Sequence, residues 1–239
     1  RSTLFPYTTL FRSQPLEDTR TSSVLLRRYR IAAPLVPFHL HNERACLPRL
    51  MAALREGRNV AVVSDAGTPG ISDPGWILLR AALDEGIEAD VLPGPSALLP
   101  ALLLSGLKPH PFLFLGFPPE KPGARGELFQ SLSGVPWTLC FYVSPHKAER
   151  QIAEMAEVWG DRRAALVREI SKVYQESIRA PLSGLVARLG QGVRGELVLV
   201  VEGRVSRDED DGKWREAADA LRADGATVRS VVEAVTARG

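Results

Sequence analysis

Residues 64–75 read SDAGTPGISDPG and follow the apolar run NVAVV. A connection that only redirects the chain needs about two to six residues, and this one is about twice that. Its glycines, Gly67, Gly70 and Gly75, let a ligand approach the backbone closely. Pro69 and Pro74 stiffen the path. Backbone N–H and C=O groups left without ladder partners must be satisfied by something, and a polar ligand is one answer. Asp65, Thr68, Ser72 and Asp73 add side-chain hydrogen bonds. PGPSA at 93–97 repeats this composition, with Ser96 as its polar side chain. Helices starting near Pro74 and Pro95 would present partial positive charge, which suits a carboxylate. The chemistry offered is capture of a polar ligand through backbone. The plain alternative is tight turns and Asx caps. The segment has neither the GxxxxGK[ST] lysine nor the GxGxxG spacing of phosphate-binding loops.

These loops need strands to hold them. NVAVVS at 59–64 is the continuous β-branched pattern of a strand buried on both faces of a parallel sheet. PLVPFHL at 34–40 reads as a short strand. A helix follows from Asn42, with Leu47, Leu50, Met51 and Leu54 at helical spacing and Gly57 as its stop. WILLRAALDEG is a helix, and IEADVLPGPSALLPALLLSG reads strand, tight turn, helix. This alternation predicts an α/β domain over 14–107. GLKPHP carries a Pro-marked linker, placed at 108–111. A second α/β domain over 112–205 is predicted from strands at FLFLGF, WTLCFYV, AALVREI and ELVLVVEG and helices at PHKAERQIAEMAEVWG and LSGLVARLG. PPEKPGARGE reads as a polar segment between them. Residues 206–239 read as a charged linker and a partial helix-turn-helix. Thr3 to Ser13 resembles translated sequencing-adapter sequence, so residues 1–13 are set aside and the first sheet is expected to lack its N-terminal strand.

Composition narrows the classes. The chain has 239 residues, 45% hydrophobic and 24% charged, enough for real cores. Its 30 basic and 28 acidic residues are well mixed and leave a net charge of +2, which permits a nucleic-acid partner without demanding one. Two distant cysteines and four histidines show no disulfide framework and no metal spacing. A reduced cytoplasmic setting is the expectation. No apolar stretch reaches the roughly 20 residues a membrane helix needs.

Together, EDTR (17–20), HLHNE (39–43), SDAGTPGISDPG, PGPSA, FYVSPHK (141–147), VREISKVYQE (167–176) and GELVLVVEG (195–203) resemble the tetrapyrrole methylase superfamily, and within it the branch that methylates ribosomal RNA. The resemblance covers about residues 16–203. It implies two α/β domains with S-adenosylmethionine in the cleft between them, and a homodimer. It also implies methyl transfer to the ribose 2′-oxygen of a cytidine in small-subunit rRNA. By position, Asp65, Gly67, Thr68, Pro69, Gly70, Ile71, Ser72, Ser96, Ala97, Tyr142 and Val143 are expected to bind the methyl donor. Val143 and Lys147 stand where the family more often has Glu and Arg. The chain is expected to lack the family's first strand and loop and to stop before its C-terminal appendage is complete.

A ribose hydroxyl is a poor nucleophile unless its proton is removed or hydrogen-bonded as it reacts. The matched motifs supply Asp18, Arg20, His41, Glu43, Glu169 and Lys172 as candidates. His41 and Glu43 share a face if extended; the alternative is a helix N-cap followed by a dipole-complementing acid. For EDTR the alternative is a solvated Asp–Arg pair, and for Glu169 and Lys172 a surface ion pair. Lys121, Arg125, Lys147, Arg150 and Arg168 are expected to contact RNA phosphates. Two other readings remain open: a superfamily member acting on a tetrapyrrole or on diphthamide, and a remnant that binds without catalysing.

Overall fold

The strand predicted at 59–64 is short: only Val60–Ala61 pair as β4, fully buried, before the chain leaves the sheet. This computed structural model describes residues 26–64, 67–190, 192–205 and 227, and the backbone alone of 3–5 and 14–16. β1 (Thr3–Phe5) lies between β4 and β5 (Glu88–Ala89) in a three-stranded parallel sheet, with Leu4 opposite both Val60 and Ala89. The expectation of a missing first strand is therefore corrected. Between two parallel neighbours a gap leaves unpaired backbone on both sides, and an extended three-residue segment satisfies it. β2 (Gln14–Leu16) pairs in parallel with β3 (Leu35–Pro37).

Helices α1 (Glu43–Arg55) and α2 (Trp76–Asp84) pack on this region. Leu50, Met51, Leu54, Val60, Val62, Leu78 and Ala82 form its core, joined by Phe38. The helical spacing read from the sequence places these residues on inward faces.

The second sheet has five strands in the order β6 (Phe112–Phe114), β7 (Thr138–Val143), β10 (Leu197–Val201), β8 (Arg163–Arg168), β9 (Glu176–Pro181). β6 and β7 are parallel; the other pairs are antiparallel. Strand alternation sorts its side chains. Leu139, Phe141, Val143, Leu166, Leu197, Leu199 and Val201 face one core with α5 (Pro145–Trp159) and α6 (Leu182–Leu189). Cys140, Val167, Val198 and Val200 face the other, against Ala101 and Leu102 of α3 (Leu98–Ser105), with Tyr142 packed beside them. So α3, which follows PGPSA, lies on the second sheet. Arg179 Nε of β9 donates to the Leu104 carbonyl at 2.9 Å and holds it there.

One helix went unpredicted. α4 (Pro122–Leu132) lies in the segment read as polar. Its Pro122 sits in the first turn, where a missing N–H costs nothing, and Phe129 and Leu132 bury against the core. A short helical turn spans residues 26–28; the helices expected in 206–239 lie outside the described residues.

Candidate functional site

The loop after β4 leaves the carboxyl edge of the first sheet, where open α/β sheets bind ligands. Its path is tightly prescribed. Gly75 has φ +135°, and a Cβ there would approach the Gly70 nitrogen at 3.5 Å and Val62 Cγ1 at 3.6 Å. Gly70 N–H donates to the Pro74 carbonyl at 3.1 Å, and Ile71 N–H to the Thr68 carbonyl at 3.2 Å. Ser64 Oγ donates to Asp73 Oδ2 at 2.7 Å. Ser72 itself holds a left-handed φ of 61°, unusual for a residue with a side chain.

Two further motifs meet this loop. Thr68 Oγ1 reaches the Pro95 carbonyl at 3.4 Å and ties it to PGPSA. Gly75 N–H points at Glu43 Oε2 at 3.4 Å and ties it to HLHNE. Asn42 does precede α1, but its side chain does not cap it. Its Oδ1 instead accepts from His39 N–H at 2.8 Å, and its Nδ2 donates to the Pro37 carbonyl at 3.0 Å. The HNE segment is thus a closed turn, not an extended strand, and the shared face expected for His41 and Glu43 is corrected accordingly. His41 is exposed, its ring 6.0 Å from that of His39. His39 Nδ1 is buried and has no hydrogen-bond partner among the described residues.

The second sheet supplies the facing wall. A Cβ on Gly116 would stand 3.0 Å from Ser72 Oγ, so the two halves touch there and glycine makes room. Tyr142 stacks edge-on against Phe114 at 4.9 Å and lies 5.5 Å from Phe117. Burial, then the Asp73 carboxylate, then Glu196 push the Tyr142 phenol above its ordinary range. Asp73 comes from the first loop and Glu196 directly precedes β10, so Tyr142 feels carboxylates from both halves. Ile71 and Phe117 stay half-exposed, 51% and 58%, as apolar surface at the rim. Sequence reasoning did not single out Gly116, Phe117 or Glu196. A glycine and a proline directly after a strand, in FLFLGFPPE, are the same signal that marked residues 64–75.

The remaining expectations divide. Val143 is 2% exposed and its side chain packs in the core on the far face, which leaves its backbone for the contact expected of it. Ala97 packs against the core under α3. Asp18, Arg20 and Asp65 lie outside the described residues. Glu169 accepts from Glu196 N–H at 2.9 Å and from Lys172 Nζ at 3.0 Å, while Lys172 Nζ also meets Glu196 Oε2 at 3.2 Å. The Glu196 N–H, then the lysine, hold the Glu169 carboxyl below its ordinary range, and the two carboxylates raise Lys172. An ion-paired carboxylate and a charged ammonium make a brace here and poor proton acceptors.

Arg125 is corrected as an RNA contact. It is fully buried. Its Nε and Nη2 grip Glu154 at 2.5 and 2.6 Å, and its Nη1 donates to the Pro119 and Glu120 carbonyls at 3.0 and 2.9 Å. Four of its five N–H donors are engaged in this way, and full burial keeps the group from an RNA phosphate. Lys147 pairs with Glu120, Arg168 with Glu176 at 2.8 Å, and Arg150 stands 3.9 Å from Glu154. Lys121 is exposed at the head of α4. No cluster of three metal-ligating side chains occurs among the described residues.

A glycine-shaped strand-exit loop here meets a second α/β sheet at Ser72 and Gly116, beside the Phe114–Tyr142–Phe117 aromatic cluster. The family model of Tetrapyrrole (Corrin/Porphyrin) Methylases matches residues 8–186. The chain belongs to this family. Ribosomal RNA small subunit methyltransferase I of Micromonospora olivasterospora is 40% identical over 223 residues, 92% of this chain and 71% of that protein. The protein of the same name from Streptococcus pyogenes serotype M3 is 41% identical over 188 residues, 78% of this chain and 66% of that protein. The chain thus spans about two thirds of the length of such relatives. Among solved structures, diphthine synthase superposes with TM-score 0.59 at 14% identity, covering 84% of this chain and 90% of that one. Uroporphyrin-III C-methyltransferase from Thermus thermophilus, complexed with S-adenyl homocysteine, superposes with TM-score 0.54 at 19% identity, covering 84% and 97%. These structures share the fold.

Proposed function

We propose that the chain is an S-adenosylmethionine-dependent methyltransferase acting on a ribose 2′-oxygen, that of a cytidine in small-subunit rRNA. What supports the reading is the junction where the 67–75 loop meets Pro95 through Thr68 and Gly116 through Ser72, with Asp73 acting on Tyr142. Its chemistry fits the methyl donor. Backbone groups of a glycine-rich loop suit the polar parts of a nucleoside amino acid, the half-exposed Ile71 and Phe117 suit a purine face, and the Asp73 and Glu196 carboxylates favour a nearby cation. When bound, S-adenosylmethionine supplies an electrophilic methyl group on a sulfonium. Gly67, Thr68, Gly70, Ile71, Ser72 and Ser96 hold it from the first half and Tyr142 from the second. The chain's own part is positioning, which provides much of the rate in such transfers. Glu43, tied to the loop through Gly75, and the exposed His41 two residues before it would take or hydrogen-bond the proton of the accepting hydroxyl.

The substrate class rests on relatives about 40% identical that carry the rRNA methyltransferase name. The tetrapyrrole and diphthine enzymes share the fold at 14–20% identity. Lys121, Lys147, Arg150 and Arg168 would meet RNA phosphates, as a cytoplasmic homodimer working on the small ribosomal subunit. The test incubates the full chain with labelled S-adenosylmethionine and small subunits lacking this modification, then digests the RNA. Label on a cytidine ribose supports the reading; label on a base, a protein or an added tetrapyrrole overturns it.

A further inference from the structure

The connection from β8 to β9 has features that neither the cores nor the cleft lining explain. Glu169 and Ser171 both hold left-handed backbone, with φ of 50° and 65°. That conformation is disfavoured for residues with side chains and tends to mark functional segments. Several bonds enforce it. Glu169 N–H donates to the Glu196 carbonyl at 3.0 Å, Lys172 N–H to the Glu169 carbonyl at 2.9 Å, and Gln175 N–H to the Lys172 carbonyl at 3.1 Å. Ser171 N–H donates to Gln175 Oε1 at 2.6 Å. The Glu169–Lys172–Glu196 brace closes the base, and Ile170 packs beneath against the α3-side core. On this stiff support Val173 is 92% exposed and Tyr174 72% exposed. A braced, strained turn that lifts two apolar side chains into water gains nothing from them in folding.

Its location gives them a use. The turn leaves β8 at Arg168, whose register partner on β10 is Leu197, and Leu197 also faces Val143 of β7. The tip therefore stands at the cleft end of the sheet, next to Glu196, which acts on Tyr142. Arg168 Nη1 reaches the Arg194 carbonyl at 3.5 Å. Arg194 is exposed, and its side chain forms no ion pair among the described residues. A projecting aromatic ring on one turn and an exposed guanidinium on the segment bonded to Arg168 at that turn's base are groups that hold single-stranded nucleic acid, the ring stacking a base and the cation taking a phosphate.

We propose that Tyr174, supported by Val173, is a stacking platform for an unpaired base beside the methyl-accepting nucleotide, with Arg194 on the adjoining backbone phosphate. This rests on the RNA reading above. Transfer to a ribose oxygen needs that nucleotide held in line with the methyl donor, and a rigid ring beside the loop would hold the neighbouring unpaired base while the ribose is positioned.

The test compares the full chain with Tyr174→Ala, Tyr174→Phe and Arg194→Ala. It measures affinity for a short single-stranded RNA of the substrate segment, KM and kcat on unmodified small subunits, melting temperature, and oligomeric state by light scattering. Removing the ring should weaken RNA binding and raise KM by about tenfold or more, with the melting temperature unchanged because the side chain is exposed. Tyr174→Phe keeps the ring and should restore most of the affinity. Arg194→Ala should flatten the salt dependence of binding by about one phosphate's worth. The proposal fails if Tyr174→Ala binds RNA like the parent, or if it turns a dimer into monomers, which would make the tip a contact between copies. If the parent chain neither binds this RNA nor labels the subunits, the rRNA reading itself fails; if it does both and Tyr174→Ala matches it, only the platform fails.

Discussion

Arg125→Met separates two roles for one residue. Methionine keeps an unbranched apolar stem in the fully buried site and removes the guanidinium. Lost with it are the paired contacts to Glu154 at 2.5 and 2.6 Å and the bonds to the Pro119 and Glu120 carbonyls. Breaking a buried ion pair from one side costs about 3–5 kcal/mol. The Glu154 side chain is 31% exposed and can regain water, which favours the low end, about 3 kcal/mol. For a chain of 239 residues that lowers the melting temperature by roughly 6–12 °C. Chemical denaturation of Arg125→Met, Glu154→Met and the double variant measures it. The double variant should cost no more than about the worse single one, because the second removal strands nothing. The strut reading is refuted if Arg125→Met loses less than about 0.5 kcal/mol, the ordinary range of a surface change, or if it weakens RNA binding at unchanged stability.

Gly116→Ala places a methyl group 3.0 Å from Ser72 Oγ at a φ of +62°, so stability should fall by about 1–2 kcal/mol and S-adenosylmethionine affinity, read by calorimetry, should fall with it. Burial raises the Cys140 thiol to about 12; iodoacetamide at pH 8 should therefore modify Cys46 in the native chain and reach Cys140 only on unfolding, followed by mass spectrometry. The Glu169 carboxyl is held below its ordinary value, so its brace contributes above the unfolded carboxyl range, about pH 4.3, and is lost as pH falls through the folded value. Glu169→Gln should accordingly melt below the parent at pH 7, and the gap should close in acid.

Much of the fold was legible because period and punctuation agreed. The β-branched run at 59–64 and the apolar run TLCFYV each marked a strand, and the helical spacing of Leu47 to Leu54 marked a helix and its inward face. Within the strand, successive side chains take opposite faces: Tyr142 lies on the α3 side and Val143 in the opposite core. Resemblance by position named both, because it does not sort side chains by face. α4 was hidden because its glycines and proline read as loop while only Phe129 and Leu132 mark its buried side. β1 was missed because three residues carry no period, and a sheet's need for a central strand is a tertiary demand. Arg125 read as a free cation because its partner Glu154 lies 29 positions away on another helix. The loop at 64–75 was found by length and glycine content, but its contacts with Gly116 and Tyr142 depend on how the second sheet meets the first.

The central claim is that the methyl donor sits between the 67–75 loop and the Gly116–Tyr142 seam. Amide hydrogen exchange of the full chain with and without S-adenosylhomocysteine tests it most directly. The predicted result is slowed exchange concentrated in 67–75, 93–97, 115–117 and 141–143. Protection confined to the opposite end of the second sheet, around 158–163 and 202–205, or no protection at saturating ligand, would contradict it.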